Sequence, residues 1–323
     1  MVDDKVWVFS EDKNVALELL AKGRELADSL RCKLAVILLG SDVKREADEY
    51  IAFGADKVYV KDDPLLAQFY VESYKSVIAG LAEEKNPSMI LVGGTRRGKE
   101  LAPRIAQKLE TGCITDCIDL RLEDSRLIVE RLMYGGNAVA TGSFKKEPQV
   151  AIVPPRRFEK LPKDDSRKGE TVDIDVPIED PKTKIVETKE REVSGVRIED
   201  ARIIVSAGRG FKKKEDLELI RELAKLLEGE VGSSRPLAAD LKWLSEDHWV
   251  GLSGHKVKPD LYIAIGISGQ IQHLAGMRDS KIIVAINSDE EAPILSVADY
   301  GLVADLYQAI PKLIESIKKY LGK

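Results

Sequence analysis

Hydrophobic residues in the first part of the chain form short continuous runs, which alternate with longer segments where they recur at helical spacing. Continuous apolar runs are typical of strands buried on both faces, so we predict strands at residues 5–9, 33–39, 57–60 and 89–92. The helical spacing predicts helices at residues 14–31, 43–53, 64–84 and 99–109, the first with Asn14 as its N-cap. Strands alternating with helices predict βαβ units and a parallel sheet.

From Ile114 the pattern changes to β-ribbons at residues 117–122, 126–133 and 150–154, which predict an antiparallel extension of the same domain. Residues 156–198 are rich in Lys, Glu, Asp and Pro. They predict an extended connector with an edge strand in the alternating segment 172–176.

A new set of elements then begins, with strands predicted at residues 201–206, 261–265 and 281–286 and helices at residues 214–227 and 305–320. The predicted fold class is therefore α/β with two domains. The N-terminal domain, residues 1–195, has a mostly parallel sheet and ends in the charged connector 156–195. The C-terminal domain, residues 196–323, is doubly wound.

Composition narrows the functional classes. The chain has 323 residues, and its 50 Lys and Arg against 55 Asp and Glu argue against nucleic acid as the main ligand. No apolar run approaches the roughly 20 residues of a transmembrane segment, and the start has no secretory signal pattern. Cys32, Cys113 and Cys117 cannot form a closed disulfide framework, which suits a reducing cytoplasm. With only three histidines, they do not predict a metal cluster either.

Candidate binding residues follow the predicted strands of the second domain, where open α/β sheets bind their ligands. Residues 206–210 (SAGRG) combine two glycines with the cation of Arg209. Residues 232–236 (GSSRP) and 249–254 (WVGLSG) bracket hydroxyl groups with small residues. Taken alone, the segment SAGRG could equally be a glycine-rich turn. The segment GSSRP is more typical of a helix N-cap, and WVGLSG is more typical of a bare turn.

The sharpest pattern is residues 261–276, where a buried strand ends at Gly266 and a helix is predicted to begin near Gln270. Free N–H groups at a helix start suit a pyrophosphate, and His273 follows one turn later, where it could face the ligand. Polar groups also occur at residues 285–289 and 298–305. The sequence has neither a GxxxxGK[ST] nor a GxGxxG pattern, so it predicts a dinucleotide site built from separate turns.

These residues resemble those of a known family. Residues 262–306 closely resemble the FAD signature of electron transfer flavoprotein alpha subunits, beginning YIAIGISGQIQHLAGMRDSKIIVAINSD. The segments 206–210, 232–235 and 249–254 resemble the family's other flavin segments in order and spacing. Residues 93–116 and 134–141 are similar to its first domain, so the resemblance covers nearly the whole chain.

The resemblance implies a C-terminal FAD-binding domain and an N-terminal scaffold that contacts a beta subunit carrying AMP or a second FAD. It implies an electron carrier, with no catalytic base, working between dehydrogenases and a quinone oxidoreductase. Whether the complex bifurcates electrons depends on the beta subunit and stays open.

The resemblance also implies individual contacts with FAD. Arg209 and Ser234 match positions near the phosphates and ribityl chain, and Arg235 matches the arginine beside the isoalloxazine ring. The other residues that match flavin contacts are Ser253 near N5, Gln272 and His273, the latter at the pyrimidine end, and Asn287, Asp305 and Leu306 toward the adenosine and pyrophosphate. The segments carrying them add Val250, Gly251, Leu252, Ser268, Gly269, Gln270 and Ile271. Leu252 and Trp249 depart from the residues common in the family.

Two alternatives remain from the residues themselves. The first is a non-redox adenine-nucleotide-binding module, although residues 206–210 lack the Asp and Ser of the ATP-pyrophosphatase loop. The second is a nicotinamide enzyme, which ranks lower because the chain has neither the dinucleotide fingerprint nor a proton-transfer residue.

Overall fold

The computed structural model describes residues 4–134, 138–183, 185–188 and 198–322. The chain divides into two compact units, residues 1–187 and residues 188–323. The domain boundary predicted near residue 195 lies outside the described residues.

The described residues of the first unit form ten strands in two sheets. They are β1 (Asp4–Phe9), β2 (Lys33–Gly40), β3 (Lys57–Asp62), β4 (Met89–Gly93), β5 (Cys113–Ile114), β6 (Cys117–Glu123), β7 (Arg126–Met133), β8 (Ala138–Ser143), β9 (Gln149–Val153) and β10 (Glu170–Asp173). Seven of them form a parallel sheet in the order β10-β3-β2-β1-β4-β9-β5, and β6, β7 and β8 form an antiparallel sheet. The predicted parallel sheet is confirmed.

Helices cover both faces of the parallel sheet. They are α1 (Lys13–Leu30), α2 (Ala47–Ala52), α3 (Val71–Lys85) and α4 (Arg96–Lys108). Alternate residues of β1 point to opposite faces, so Val6 and Val8 pack in one core cluster and Trp7 and Phe9 in the other. Burial on both faces explains why these strands have continuous apolar sequences.

Two local predictions in this unit are wrong. The N-cap of α1 is Asp12, whose carboxylate accepts from the Val15 N–H at 3.2 Å, whereas the Asn14 side chain accepts from Lys160. The strand predicted at residues 150–154 does not join the antiparallel extension, because its apolar residues are buried between β4 and β5 in the parallel sheet. The third strand of the extension is β8, whose Ala, Thr, Gly and Ser residues give no apolar run.

The charged connector packs against the first unit over its described part. An edge strand does form here, but it is β10 at Glu170–Asp173, which pairs with β3, and not the predicted segment 172–176. Beyond it, Ile174 and Val176 are buried in the core. Asp56 fixes the segment before β10, because its carboxylate accepts from Arg167 at 2.7 Å and from Arg24 at 2.6 Å. Burial acts to raise the pKa of Asp56, but these partners and the Leu34 N–H outweigh it and lower that pKa.

The second unit is a doubly wound domain, as predicted. Its strands are β11 (Ile203–Ala207), β12 (Glu230–Ser233), β13 (Leu261–Ile265), β14 (Ile282–Asn287) and β15 (Tyr300–Val303), all parallel in the order β12-β11-β13-β14-β15. Its helices are α5 (Glu218–Leu226), α6 (Ile271–Met277), α7 (Pro293–Val297) and α8 (Leu306–Leu321). Residues of α5 and α8 pack on one face of the sheet, and residues of α6 and α7 on the other.

The order of these strands defines where a ligand can bind. From β11 the chain passes to β12 on one side, and it returns to β13 on the other side of β11. The loops after β11 and β13 therefore leave toward opposite faces and open a crevice at the carboxyl ends of the strands. Across the described residues, no helix combines the length and apolar character needed to cross a membrane.

Candidate functional site

The loops after β11 and β13 contact each other through glycines. They do so at the topological switch point, where the chain crosses from one side of β11 to the other. The N–H of Gly208 donates to the Ile265 carbonyl at 2.9 Å, and the N–H of Gly210 donates to the Gly266 carbonyl at 3.0 Å. A Cβ on Gly208 would lie 2.2 Å from the Gly266 oxygen, and Gly266 itself has a φ of +62°. Any side chain at Gly208 would therefore force the two loops apart.

The loop of residues 249–255, called the Trp249 loop here, forms the next wall of the site. The Val250 N–H donates to the Ser233 carbonyl at 2.9 Å, which attaches this loop to the end of β12. The Leu252 N–H donates to the Gln272 carbonyl at 2.7 Å, which attaches it to α6. The Trp249 loop therefore connects β12 to α6. It brings together two sequence motifs whose proximity the sequence alone only suggested.

Burial separates the predicted binding residues into two layers. Most of the polar members, with two apolar ones, are exposed: Arg209, Arg235, Leu252, Ser253, Ser268, Gln270, Ile271, Gln272 and Asp305. The others lie beneath them, buried or half-buried: Ser234, Val250, Gly251, Gly269, His273, Asn287 and Leu306. The exposed apolar side chains of Leu252 and Ile271, together with the exposed cations of Arg209 and Arg235, suit a ligand that has both an apolar ring and anionic groups.

Two arginines supply positive charge at this edge. Neither Arg209 nor Arg235 forms an ion pair with a carboxylate of the described residues. The guanidinium carbon of Arg235 lies 6.0 Å from the centre of the Trp249 ring, within the range of a cation–π contact. The charge of Arg235 is thus held at the Trp249 loop while its hydrogen-bond donors remain available to an anion.

His273 is a buried neutral group. Its side chain lies under the exposed layer, and its Nε2 is 3.0 Å from the Tyr262 hydroxyl oxygen. Burial lowers the pKa of His273 to about 4, against an opposing contribution from the Val250 backbone. The imidazole is therefore uncharged near neutral pH. Tyr262 was not among the predicted site residues, because inside an apolar run it has only the signal of a core residue.

The residues predicted at the adenosine end lie at the end of β14 and just after β15. The Asn287 side chain donates to the Ile267 carbonyl at 2.8 Å and accepts from the Asp289 N–H at 3.0 Å, so it braces the loop after β13. The Asp305 carboxylate accepts from the Tyr307 N–H at 2.7 Å and is the N-cap of α8. Leu306 packs in the core cluster beneath α8.

The predicted residues thus span the carboxyl edge of all five strands, whose outer members lie roughly 19 Å apart at normal strand spacing. A glycine-lined crevice, free guanidinium groups and exposed hydroxyls fit the diphosphate and the flat ring of an extended dinucleotide. The fold and the site define a doubly wound protein of the dinucleotide-binding class.

Comparison with known proteins gives the family. The family model described as the electron transfer flavoprotein domain matches residues 6–179. The family model described as the electron transfer flavoprotein FAD-binding domain matches residues 197–278. The chain belongs to the electron transfer flavoprotein alpha subunit family, which connects it to electron transfer and a flavin cofactor.

Relatives match over nearly the full chain. The electron transfer flavoprotein subunit alpha of Thermoanaerobacterium thermosaccharolyticum is 44% identical, covering 97% of this chain and 98% of the relative. The electron transfer flavoprotein subunit alpha of Bacillus subtilis is 40% identical, covering 96% of this chain and 94% of the relative. The lactate dehydrogenase (NAD(+),ferredoxin) subunit LctC of Acetobacterium woodii is 37% identical, covering 94% of this chain and 73% of the relative. A solved putative thiamin diphosphate-dependent enzyme from Mycobacterium smegmatis covers 95% of this chain and 54% of its own, with 11% identity and a TM-score of 0.23, too weak a likeness to interpret.

Proposed function

We propose that this chain is the alpha subunit of a heterodimeric electron transfer flavoprotein and holds one FAD at the carboxyl edge of the five-stranded sheet. It passes electrons between dehydrogenases and a quinone oxidoreductase in the cytoplasm. The observation that carries the proposal is the close approach of Gly208 to Gly266 at the switch point. Arg209 and Arg235 follow strands of the same sheet edge, and neither has an ion pair among the described residues.

When bound, the flavin supplies the redox chemistry, and the chain supplies position and charge. We assign Arg209 and Ser234 to the phosphate and ribityl part of the cofactor. Arg235 places a fixed cation at the Trp249 ring, in the loop that also carries the exposed Leu252 and Ser253. A fixed cation lowers the free energy of negative charge that arrives with an electron, and it needs no reorganisation when that charge appears.

The state of His273 supports electron transfer without acid–base catalysis. An imidazole that is buried and has a pKa of about 4 is uncharged at pH 7 and poorly placed to exchange protons with solvent. A one-electron carrier needs no general base. The site therefore binds and tunes a cofactor rather than transforming a substrate of its own.

The partner in this proposal is a beta subunit that contacts the first unit and carries AMP or a second FAD. The relatives from Thermoanaerobacterium thermosaccharolyticum and Acetobacterium woodii are both named as subunits, which supports a complex. A beta subunit with AMP makes the heterodimer a simple carrier, whereas a second FAD makes it a candidate for bifurcation.

Anaerobic reductive titration of the purified heterodimer tests the function. We expect each FAD to take up two electrons, in one-electron steps, and to return them to an added quinone oxidoreductase. A complex that takes up no electrons and releases only an adenine nucleotide on denaturation would contradict this function. It would support the non-redox nucleotide-binding module instead.

A further inference from the structure

The Trp249 loop has a further attachment, to a turn that precedes β11. His255, the last residue of the loop, directs its Nδ1 at a carboxylate oxygen of Glu199, 56 positions earlier in the chain. A carboxylate accepts hydrogen bonds, so the imidazole Nδ1–H is the donor. Glu199 lies in a single 3₁₀ turn, Ile198–Asp200, soon after the boundary between the two units. The contact therefore connects the loop to the beginning of the second unit.

The turn that carries Glu199 is held from beneath. Ile198 is 0% exposed and packs in the core cluster that also contains Val250, in the Trp249 loop, and Val257, two residues after it. Apolar burial of this kind fixes the backbone of the turn, which reduces the entropy lost when Glu199 takes up one position. The Glu199 and His255 side chains are themselves partly exposed, so the contact can be removed by substitution without a cavity in the core.

The backbone of His255 closes the loop. Its N–H donates to the Trp249 carbonyl at 2.7 Å, and its carbonyl accepts from the Gly251 N–H at 3.1 Å. A Cβ on Gly254 would lie 2.5 Å from the Trp249 oxygen, so the two ends of the loop have no room to approach further. A shift of His255 would therefore move Trp249, whose ring centre lies 6.0 Å from the guanidinium carbon of Arg235.

We propose that Glu199 is a positioning residue, which holds the Trp249 loop through His255 in the form that keeps the Trp249 ring at Arg235. No motif of the candidate site contains Glu199, because its partner is reached only through the fold. The support of the loop follows from this chain alone, whereas its effect on the flavin rests on the proposed function.

Hydrogen–deuterium exchange of the full-length protein, with no cofactor added, tests the support of the loop. The peptide to follow contains residues 249–257, where the amide groups of Gly251, Leu252 and His255 donate to carbonyls of the chain. In Glu199→Ala we expect these amides to exchange about fivefold faster, the effect of one net hydrogen bond on local opening. Exchange at the wild-type rate in this variant would overturn the proposal.

Three further variants separate the contact from general destabilisation. Glu222→Ala, the matched control, breaks an exposed ion pair with Lys318 and should leave exchange in residues 249–257 as in the wild type. His255→Leu removes the donor and should match Glu199→Ala. His255→Asn keeps an N–H donor close to the place of Nδ1 and should restore slow exchange. Exchange as fast in His255→Asn as in His255→Leu would overturn the role of the hydrogen bond.

The reduction potential of the bound flavin in the heterodimer tests the effect on the site. Because the loop would move away from Arg235, Glu199→Ala should lower the potential, by about twofold in the one-electron equilibrium or roughly 18 mV. Loss of the Glu199 charge acting directly on the flavin would have the opposite sign and raise the potential. A potential that is raised, or equal to that of Glu222→Ala, would therefore overturn the link to the flavin. Failure of the wild type to bind FAD would instead refute the proposed function, while the exchange result would stand.

Discussion

The guanidinium of Arg235 lies 6.0 Å from the centre of the Trp249 ring. Arg235 follows β12, and Trp249 is 14 positions further along the chain, in the loop that carries Leu252 and Ser253. The ring packs against Gly254, where an added Cβ would lie 2.8 Å from a ring carbon. Trp249, which departs from the common family pattern, thus holds the cation that the proposed flavin needs.

Replacing Arg235 with Ala should lower the reduction potential of the flavin by roughly 60 mV, a tenfold change in a one-electron equilibrium. The reason is the loss of a fixed positive charge beside the reducible ring. Potentiometric titration of the heterodimer measures this. Arg209→Ala is the control, since a phosphate contact should change FAD affinity and leave the potential near that of the wild type.

The Trp249→Leu variant should lower the potential in the same direction by roughly 30 mV, in line with a cation–π contact of about 0.5–1 kcal/mol. Trp249→Phe, which keeps an aromatic face, should fall between this variant and the wild type. A Trp249→Leu protein with an unchanged potential would show that the indole does not position Arg235.

Replacing Gly208 with Ala should destabilise the second unit by about 2 kcal/mol or more and reduce its cofactor content. The new Cβ would lie 2.2 Å from the Gly266 oxygen, and backbone at both positions would have to move. Urea unfolding and the ratio of flavin to protein absorbance measure the two effects. Gly112→Ala, where an added Cβ meets nothing within 4 Å, should change neither. A Gly208→Ala protein with wild-type stability would contradict this reading of the switch point.

Stability should fall as the pH decreases from about 6.5 to about 4, partly because of His273. Its folded pKa of about 4 lies below the ordinary value of 6.5, so between these values the unfolded chain binds more protons. The contribution is complete above pH 6.5 and amounts to about 3 kcal/mol when lost. Urea unfolding of His273→Gln should show a shallower decline across this window. Parallel declines in the two proteins would show that His273 is not responsible.

The Asp56→Asn substitution should release the connector from the first unit. It weakens the contacts with Arg24 and Arg167, so we expect a loss of about 2 kcal/mol and faster proteolysis within residues 156–187. Asp173→Asn breaks an exposed ion pair with Lys44 and should cost about 0.5 kcal/mol or less. Equal proteolysis of the two variants would contradict the anchoring role of Asp56.

The sequence predicted most of the strands in the two parallel sheets, because buried parallel strands are continuous apolar runs. The strand at residues 261–265 has the predicted bounds. Strand β15 was missed because all four of its residues are exposed and no core selects its pattern. Strand β9 was assigned to the wrong sheet, since an apolar run shows that a strand is buried but not which strands lie beside it.

The candidate site, like the fold, could be predicted from the sequence only in part. Glycines and arginines after strands were visible as motifs because they recur at turns whatever lies opposite. The pairing of Tyr262 with His273 and of Arg235 with Trp249 was not visible, since each joins positions more than ten residues apart through the fold. Only the structure shows that the single histidine of the signature is buried, and this burial lowers its pKa.

The most direct test of the account is the cofactor of the purified heterodimer, identified and counted after release. We predict a flavin absorbance spectrum and one FAD per alpha chain, lost from the second unit when the Gly208–Gly266 contact is broken. A second FAD would be assigned to the beta subunit. A colourless complex that takes up no added FAD with its beta subunit present would contradict the account and favour a nucleotide-binding module without redox chemistry.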